Sequence, residues 1–352
     1  MTRIETKHLK LNILNDLKDN IWFTDRIEKR KAVKNYVTHV QNQILLCKKE
    51  QRLDLIADNV FDVRNRIFSI DKVFSQYKNC NCNVVSCSCL ALKSHKFVLL
   101  EQTKLIHLSK LPRCKIVIVK ISKAKGGERS LGINTLIDKV LQRMFLNYLD
   151  KLIEDELNFE VFAYRKKHNA RMAIISVFTN LNQVKYIQQL CICSIIIEKY
   201  VKNFFHDQIK KLYPFPKRYS FLLCRWLTST IFNKNHDSKN VNKINRGIPP
   251  GLILGPSISN LLLSNVFSKN VLKQIKKKRQ KLLADIFFYA NEIIFISNNQ
   301  SIFYRHLIKL RKNLQTVGLV LNERKIKSFA HTQLIIKFQF LGFEFVVMPK
   351  NQ

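Results

Sequence analysis

Glycine is rare in this chain and is confined to a few short segments. The sequence has eight glycines in 352 residues, about a third of the usual share of about 7%. They fall in four segments: KGGERSLGI, RGIPPGLILGPSISN, GLVLNERK and FQFLGFEF. Because glycine tolerates conformations and close approaches that other residues do not, this clustering predicts specific backbone demands in these segments. Ordinary turns are the simpler explanation. That explanation is sufficient for Gly318 but not for the other seven glycines.

A β-hairpin is predicted near residues 286–297. Segments Ile286–Tyr289 and Ile293–Ser297 are apolar and rich in aromatic and β-branched residues, with a short polar connection between them. This arrangement is typical of two strands joined by a tight turn. The polar pair Asn291-Glu292 lies at that turn, which raises the question of what two polar side chains do there.

The rest of the chain mixes helical and strand patterns. Apolar residues from Val33 to Leu45 recur at helical spacing and predict an amphipathic helix, and a second helix is predicted around Leu53–Ile67. The other predicted elements are helices at 134–159, 219–232 and 301–317, and strands at 115–121, 190–197, 318–322 and 337–347. Helices mixed with antiparallel strands predict the α+β class.

The charge of the chain predicts an acidic partner. Lys and Arg number 61 against 25 Asp and Glu, which gives a formal net charge of +36. Such a surplus points to nucleic acid or to an anionic membrane. The sequence has no apolar run long enough for a transmembrane helix, and its start lacks the apolar core of a signal peptide. Nucleic acid is therefore the main expectation and no membrane partner is predicted; a solvated basic surface is the alternative.

Six segments, in this order, resemble the reverse-transcriptase domain of group II intron maturases. KIVIVKISKAKGGERSLGINTLIDKVLQRMF is similar to the fingers strand followed by the "RPLGI…DR..Q" element, and EVFAYRKKHNARMAI to the "YGFRPGRS…A" element. RGIPPGLILGPSISNLLLSNVF resembles "GTPQGGVISPLLANIYL", and FFYANEIIF occupies the place of the "YADD" hairpin. GLVLNERKIK and FQFLGFEF match the two closing elements.

The resemblance covers roughly residues 21–345 and implies a fold and a domain division. The implied fold is the α+β reverse-transcriptase fingers–palm fold, with an antiparallel palm sheet and flanking helices. The expected division is an N-terminal helical region with a Cys-rich insertion over 1–100, fingers over 101–190 and palm over 191–352. Only ten residues follow Gly342, so no thumb (maturase X) or endonuclease domain is expected.

The same resemblance predicts a degenerate polymerase site. In the family, two Asp of the hairpin and a third Asp on an earlier strand hold Mg²⁺ for nucleotide addition. Here Asn291 and Glu292 occupy the hairpin positions. CSIIIEKYVKNFFHDQIKKL resembles "DIKGFFDNIDHDKLL", which puts Ile196 at the earlier Asp. Glu198, two residues on and so on the same strand face, is a candidate residual carboxylate. We therefore expect no catalytic residues, no enzyme activity and no cofactor, with Mg²⁺ needed only if polymerase activity persists.

Maturases of this family also bind their intron RNA and stabilise its splicing-competent form, without polymerase chemistry. This task requires cationic side chains along the RNA phosphates. The resemblance therefore predicts an RNA-binding protein that assists splicing of group II-type, or reduced group III, introns. Alternatives are an active reverse transcriptase and a non-catalytic scaffold subunit of an intron ribonucleoprotein. The predicted RNA-binding residues are Lys29, Arg30, Lys31, Lys34, Arg129, Arg165, Lys166, Lys167, Arg171, Lys276, Lys277, Lys278, Arg279 and Lys325.

Two further expectations concern partners and compartment. The expected lack of a thumb predicts a second protein that supplies the missing RNA contacts. Lys outnumbers Arg by 43 to 18, and Ile, Asn and Phe are abundant. This composition is typical of AT-rich codon usage, so a plastid (chloroplast) is expected and a mitochondrion is the alternative.

A cluster of four cysteines lies near the N-terminus with the spacing C-x-C-x4-C-x-C. Four thiolates can bind Zn²⁺ tetrahedrally, but the usual C-x2-C spacing is absent. A free-thiol loop is the alternative. Cys191 and Cys193 lie in an apolar segment and are predicted to be small core residues. The zinc candidates are Cys80, Cys82, Cys87 and Cys89.

Overall fold

The computed structural model describes residues 34–42, 57–75, 107–122, 126–157, 160–182, 190–197, 200–233, 242–243, 245–267, 284–321, 326–329 and 335–348. A helical segment covers 34–42. The further helices are α1 (Val63–Ser75), α2 (Leu136–Glu156), α3 (Ala170–Asn182), α4 (His206–Leu212), α5 (Ser220–Leu227), α6 (Gly255–Phe267) and α7 (Gln300–Thr316). The strands are β1 (Lys115–Ser122), β2 (Glu128–Asn134), β3 (Cys191–Ile196), β4 (Thr230–Asn233), β5 (Asn242–Lys243), β6 (Ala284–Tyr289), β7 (Glu292–Ser297), β8 (Ile326–Phe329), β9 (Ile336–Phe340) and β10 (Phe343–Val347).

The N-terminal helices pack on α2 through buried amides. The Asn65 side chain donates to the carbonyls of Val60 (2.8 Å) and Met144 (3.1 Å), and the Asn147 side chain donates to Asn65 Oδ1 (3.1 Å). Since buried polar groups must be paired, these bonds fix how α1 lies against α2. The helix predicted around Leu53–Ile67 was wrong in its bounds, because a 3-10 turn occupies Ala57–Phe61 and α1 begins at Val63.

One sheet has the strand order β2-β1-β4-β5. β1 pairs antiparallel with β2 and parallel with β4. The strand predicted at 115–121 is confirmed. The helix predicted at 219–232 was wrong in its second half, because α5 ends at Leu227 and β4 follows. Ile231 pairs with the fully buried Ile116, so tertiary pairing decides the conformation of this β-branched and aromatic stretch.

The second sheet has the order β6-β7-β3-β8 and is antiparallel. The hairpin predicted near 286–297 is confirmed as β6 and β7, and the strand predicted at 190–197 as β3. Alternate residues of these strands enter two different cores. One face, with Ile195 and Phe295, packs on α6 and α7, whereas the other, with Ile192 and Ile294, packs on α3 and the β9–β10 hairpin. Covering on both faces explains why these strands are apolar throughout.

The C-terminal strands differ from the prediction in two places. Residues 318–321 are not in a strand: Gly318 has a φ of 91°, and the Leu319 N–H bonds the Leu314 carbonyl, as at many helix ends. The single strand predicted at 337–347 is instead the two strands β9 and β10. Their connection is Leu341-Gly342, where both φ angles are positive (53° and 80°). Such a left-handed pair reverses the chain in a hairpin.

Backbone contact between two glycine-containing segments confirms part of the glycine prediction. A Cβ on Gly132 would lie 2.0 Å from the Pro250 carbonyl oxygen, and one on Gly251 would lie 1.9 Å from the Gly132 carbonyl oxygen. The Asn134 side chain donates to the Gly251 carbonyl (2.9 Å). Here KGGERSLGI and RGIPPGLILG dock main chain to main chain, which only glycine permits.

Candidate functional site

The structure brings together the positions at which the family resemblance predicts polymerase carboxylates. β3 and β7 pair in a register that sets Ile196 directly opposite Glu292, so their side chains lie on the same face. Ile196 is 39% exposed, whereas its neighbours Ile195 and Ile197 are buried. The position predicted to correspond to a metal-binding Asp therefore presents a partly exposed hydrocarbon.

Asn291 lies in the two-residue turn after β6, beside Ala290, whose φ is 54°. Its backbone carbonyl accepts a hydrogen bond from the Ile197 N–H (2.9 Å), and its side-chain Nδ2 donates to the Ile197 carbonyl (3.4 Å). Asn291 thus ties the hairpin turn to the end of β3. This contact explains one of the two polar residues at the turn.

Glu292 supports a different turn. Its Oε2 accepts a hydrogen bond from the backbone N–H of Leu341 (3.1 Å), in the left-handed connection between β9 and β10. Charged acceptors make the stronger hydrogen bonds to backbone N–H groups. The sequence predicted Glu292 only as a degenerate metal position, and it carries no signal for a partner 49 residues away.

Ile196, Asn291 and Glu292 together offer one carboxylate to the two Mg²⁺ ions of polymerase chemistry. Such a site needs several negative oxygen ligands. Ile196 has no ligand atom, the Asn291 amide is bonded to the main chain, and the Glu292 carboxylate is bonded to Leu341. Within the described ranges no group of three or more His, Cys, Asp or Glu could hold a metal ion. Glu198 lies outside the described residues, so its role as a residual carboxylate stays a prediction.

The predicted RNA-binding residues of the loop before α3 have different surroundings. Lys167 and Arg171 are exposed. Lys166 is exposed and forms an ion pair with Asp150. Lys34, in the N-terminal helical segment, is also exposed. These four side chains are accessible to a ligand, and their RNA contact stays a prediction.

Arg165 is used differently from its neighbours. Its side chain is only 5% exposed, and its guanidinium binds the Glu154 carboxylate, with an Nη2–Oε1 distance of 2.6 Å. Its Nη1 donates to the Val161 carbonyl (2.7 Å). A buried guanidinium that binds a carboxylate and a carbonyl stabilises the fold and is not accessible to RNA. We therefore leave Arg165 out of the accessible basic surface, although charge and resemblance predicted it there.

The remaining predicted site residues are not described by the structure. For Arg129 only the backbone in β2 is described. Outside the described ranges lie Lys29, Arg30, Lys31, Lys276, Lys277, Lys278, Arg279, Lys325, Cys80, Cys82, Cys87 and Cys89. The predictions of RNA contact and zinc binding for these residues stay predictions.

A buried carboxylate that was not among the predicted site residues lies in the first turn of α2. Asp138 is 2% exposed and accepts from the Trp226 indole N–H (3.0 Å) and the Thr135 hydroxyl (2.8 Å). Its Oδ1 also forms an ion pair with Arg225. The carboxylate is thus fully engaged in holding α2 to α5, and it is the Asp of the segment that resembles the "RPLGI…DR..Q" element.

The prediction for Cys191 and Cys193 is confirmed, because both are buried in β3. Burial raises the pKa of the Cys193 thiol to about 12, so it stays protonated as a small core residue.

The sequence matches the model of a known family over the region that holds this site. Residues 121–345 match the family described as reverse transcriptase (RNA-dependent DNA polymerase). The chain belongs to the reverse transcriptase family. This match begins at the end of β1, includes β2 to β9 with the β6–β7 hairpin, and confirms the reverse-transcriptase part of the resemblance. The narrower resemblance to group II maturases stays a prediction, as does the division into N-terminal, fingers and palm regions.

Solved structures of this fold include yeast telomerases. Apo telomerase from Candida tropicalis, truncated from its C-terminal domain, aligns with a TM-score of 0.51 at 14% identity over 67% of this chain and 54% of that chain. Telomerase from Candida albicans, in complex with a TWJ fragment of telomeric RNA, aligns with a TM-score of 0.50 at 10% identity over 69% of this chain and 45% of that chain. The chain thus spans about half the length of these telomerases, and the likeness establishes the fold. No curated protein sequence gives a significant match.

None of the helices in the described part of the chain is long and apolar enough to cross a membrane.

Proposed function

We propose that this reverse-transcriptase family protein is an RNA-binding, maturase-like factor without polymerase activity, which assists splicing of group II-type or reduced group III introns. The observation that carries the proposal is the pairing of Ile196 with Glu292, whose carboxylate bonds the Leu341 N–H. The fold is intact around these positions, and the side chains of Asn291 and Glu292 form hydrogen bonds with the main chain. The polymerase metals would lack their ligands.

Loss of these carboxylates leaves RNA assistance unimpaired. In the maturase family the intron RNA supplies the catalytic metals, so the protein needs cations, donors and shape. The net charge of +36 and the exposed Lys34, Lys167 and Arg171 support RNA as the partner. The Candida albicans telomerase, a protein of similar fold, was solved with an RNA fragment.

Two finer parts of the proposal rest on the sequence. A plastid is proposed from the Lys-rich, AT-type composition, with the mitochondrion as the alternative. A second protein that completes the RNA surface is proposed from the maturase resemblance. Purification from the native compartment with mass spectrometry of the associated chains tests both.

Primer extension tests the non-enzymatic part. The purified chain is given an annealed primer–template with deoxynucleotides and Mg²⁺ or Mn²⁺, beside an active reverse transcriptase as a positive control. No extension is expected with either metal. Extension that disappears in Glu198→Ala or Glu292→Ala would overturn the proposal and establish an active enzyme.

A splicing assay tests the positive part. Group II intron transcripts from the same compartment are incubated with and without the chain at moderate Mg²⁺. We expect faster splicing of at least one transcript, and no effect on an intron of an unrelated class. Equal splicing of every transcript with and without protein would contradict the maturase role.

A further inference from the structure

A strained loop before α3 presents an aromatic ring to solvent. Tyr164 and Lys167 have φ angles of 56° and 62°, a left-handed conformation that non-glycine residues seldom adopt. Tyr164 is 69% exposed, more than any other large hydrophobic or aromatic side chain in the described part of the chain. Strain of this kind costs on the order of 1–3 kcal/mol per residue and often marks a functional position.

The loop is held in this conformation from both sides. The buried Arg165, between the two strained residues, is fixed by Glu154 and by the Val161 carbonyl. The Asn260 side chain of α6 donates to the Ala163 carbonyl (2.7 Å). His168 packs its ring on Phe162, with a centroid distance of 5.9 Å. Because these contacts fix the backbone, the Tyr164 ring is presented with little loss of conformational entropy on binding.

Two exposed cations follow Tyr164 closely in the sequence. Lys167 in the loop and Arg171 in the first turn of α3 are exposed, and neither has an ion-pair partner among the described residues. The nearby carboxylates of Glu154 and Asp150 are paired with Arg165 and Lys166, which offsets their charge. A fixed, exposed aromatic ring with exposed cations three and seven residues later in the chain matches unpaired RNA, whose bases stack on aromatic side chains and whose phosphates bind Lys and Arg.

We propose that the Tyr164 ring stacks on an unpaired base of the bound RNA, and that Lys167 and Arg171 contact the adjacent phosphates. This inference rests on the proposed RNA-binding function and specifies which form of RNA the loop recognises. Bases in the interior of a duplex are covered on both faces by their neighbours and cannot stack on the ring. The loop therefore discriminates single-stranded segments from duplex.

The test compares two RNA probes on the full-length chain. Fluorescence anisotropy gives the affinity for an unstructured RNA of about 16 nucleotides and for a duplex of about 16 base pairs. The variants are Tyr164→Ala, Tyr164→Phe, and Tyr304→Ala as a matched control, since Tyr304 is an exposed tyrosine on α7. Thermal unfolding of each variant verifies that the fold is intact.

Loss of one stacked base should weaken binding of Tyr164→Ala to single-stranded RNA by about 5- to 150-fold, with duplex affinity unchanged. Tyr164→Phe and Tyr304→Ala should bind like wild type. Wild-type affinity in Tyr164→Ala, or equal losses in both alanine variants, would overturn the loop assignment while RNA binding itself stands. No binding of either RNA by wild type would overturn both this inference and the proposed function.

Discussion

Replacing Glu292 tests whether this residue serves the fold. Glu292→Ala leaves the Leu341 N–H without its acceptor at 3.1 Å. A hydrogen bond to a charged group contributes about 1.5–3 kcal/mol, and an unsatisfied buried N–H costs about 1–3 kcal/mol. Because the carboxylate is only half-buried and water can replace part of the bond, we expect a loss of about 1–2 kcal/mol in the free energy of unfolding.

Urea unfolding followed by circular dichroism measures this loss. Glu292→Gln keeps an acceptor oxygen and should lose less than about 1 kcal/mol. Glu292→Asp withdraws the carboxylate by one methylene and should resemble the alanine variant. Glu344→Ala, at an exposed glutamate on β10, is the matched control and should be within about 0.5 kcal/mol of wild type.

Two results would refute this reasoning. Unchanged stability of Glu292→Ala would mean that the bond to Leu341 contributes nothing. A gain in stability would mean that the carboxylate is a strained functional group, as expected of a metal ligand held without its metal.

Three further predictions concern the fold and the RNA surface. Asp138→Ala should cost about 3–5 kcal/mol, measured by urea unfolding, because it leaves the Arg225 guanidinium without its buried partner; a loss under about 1 kcal/mol would contradict the pairing. The pKa of His306 is lowered mainly by burial and further by its cationic neighbours. The free energy of unfolding should therefore be highest above the unfolded pKa of about 6.5 and should fall as the pH decreases towards the folded pKa. His306→Leu should flatten that fall below about pH 6.5, and an identical pH profile would refute it. If about six phosphates are neutralised, the log–log dependence of RNA affinity on salt should have a slope near −4 to −5, whereas a slope near zero would contradict an electrostatic RNA surface.

Patterns within single elements predicted much of the fold. The β6–β7 hairpin and β3 follow from apolar, β-branched runs with tight connections. The helices at 134–159 and 301–317 correspond to α2, which is shorter by a few residues at its ends, and to α7, which is displaced by one residue. Local signals were sufficient here because the same residues that favour the element also enter the core.

Features set by distant partners could not be predicted. β4 becomes a strand by pairing in parallel with β1, more than 100 residues earlier in the chain, although its sequence continues a helical pattern. The turn at Leu341-Gly342 divides one predicted strand into two. Arg165 lies in a basic run, and only the position of Glu154 on α2 directs its guanidinium inward. In each case the deciding contact joins residues that local sequence does not relate.

The candidate site was also predictable only in part from the sequence. The β3–β7 register places Ile196, Asn291 and Glu292 next to one another, while their correspondence to the family's metal ligands stays a prediction. The resemblance could not supply the new bonds of the two polar residues, to Ile197 and Leu341. The Tyr164 loop was predicted only as part of a basic block, since its strain and exposure depend on the anchors that surround it.

The central claim is that this fold is retained to bind intron RNA. Crosslinking the chain to RNA in its own compartment, followed by sequencing of the bound fragments, tests that claim most directly. The account predicts strong enrichment of intron sequences over exons and ribosomal RNA, with crosslinks concentrated in unpaired segments. An even distribution over all RNA would contradict it, and would mean that the charge of +36 gives only a general affinity for polyanions.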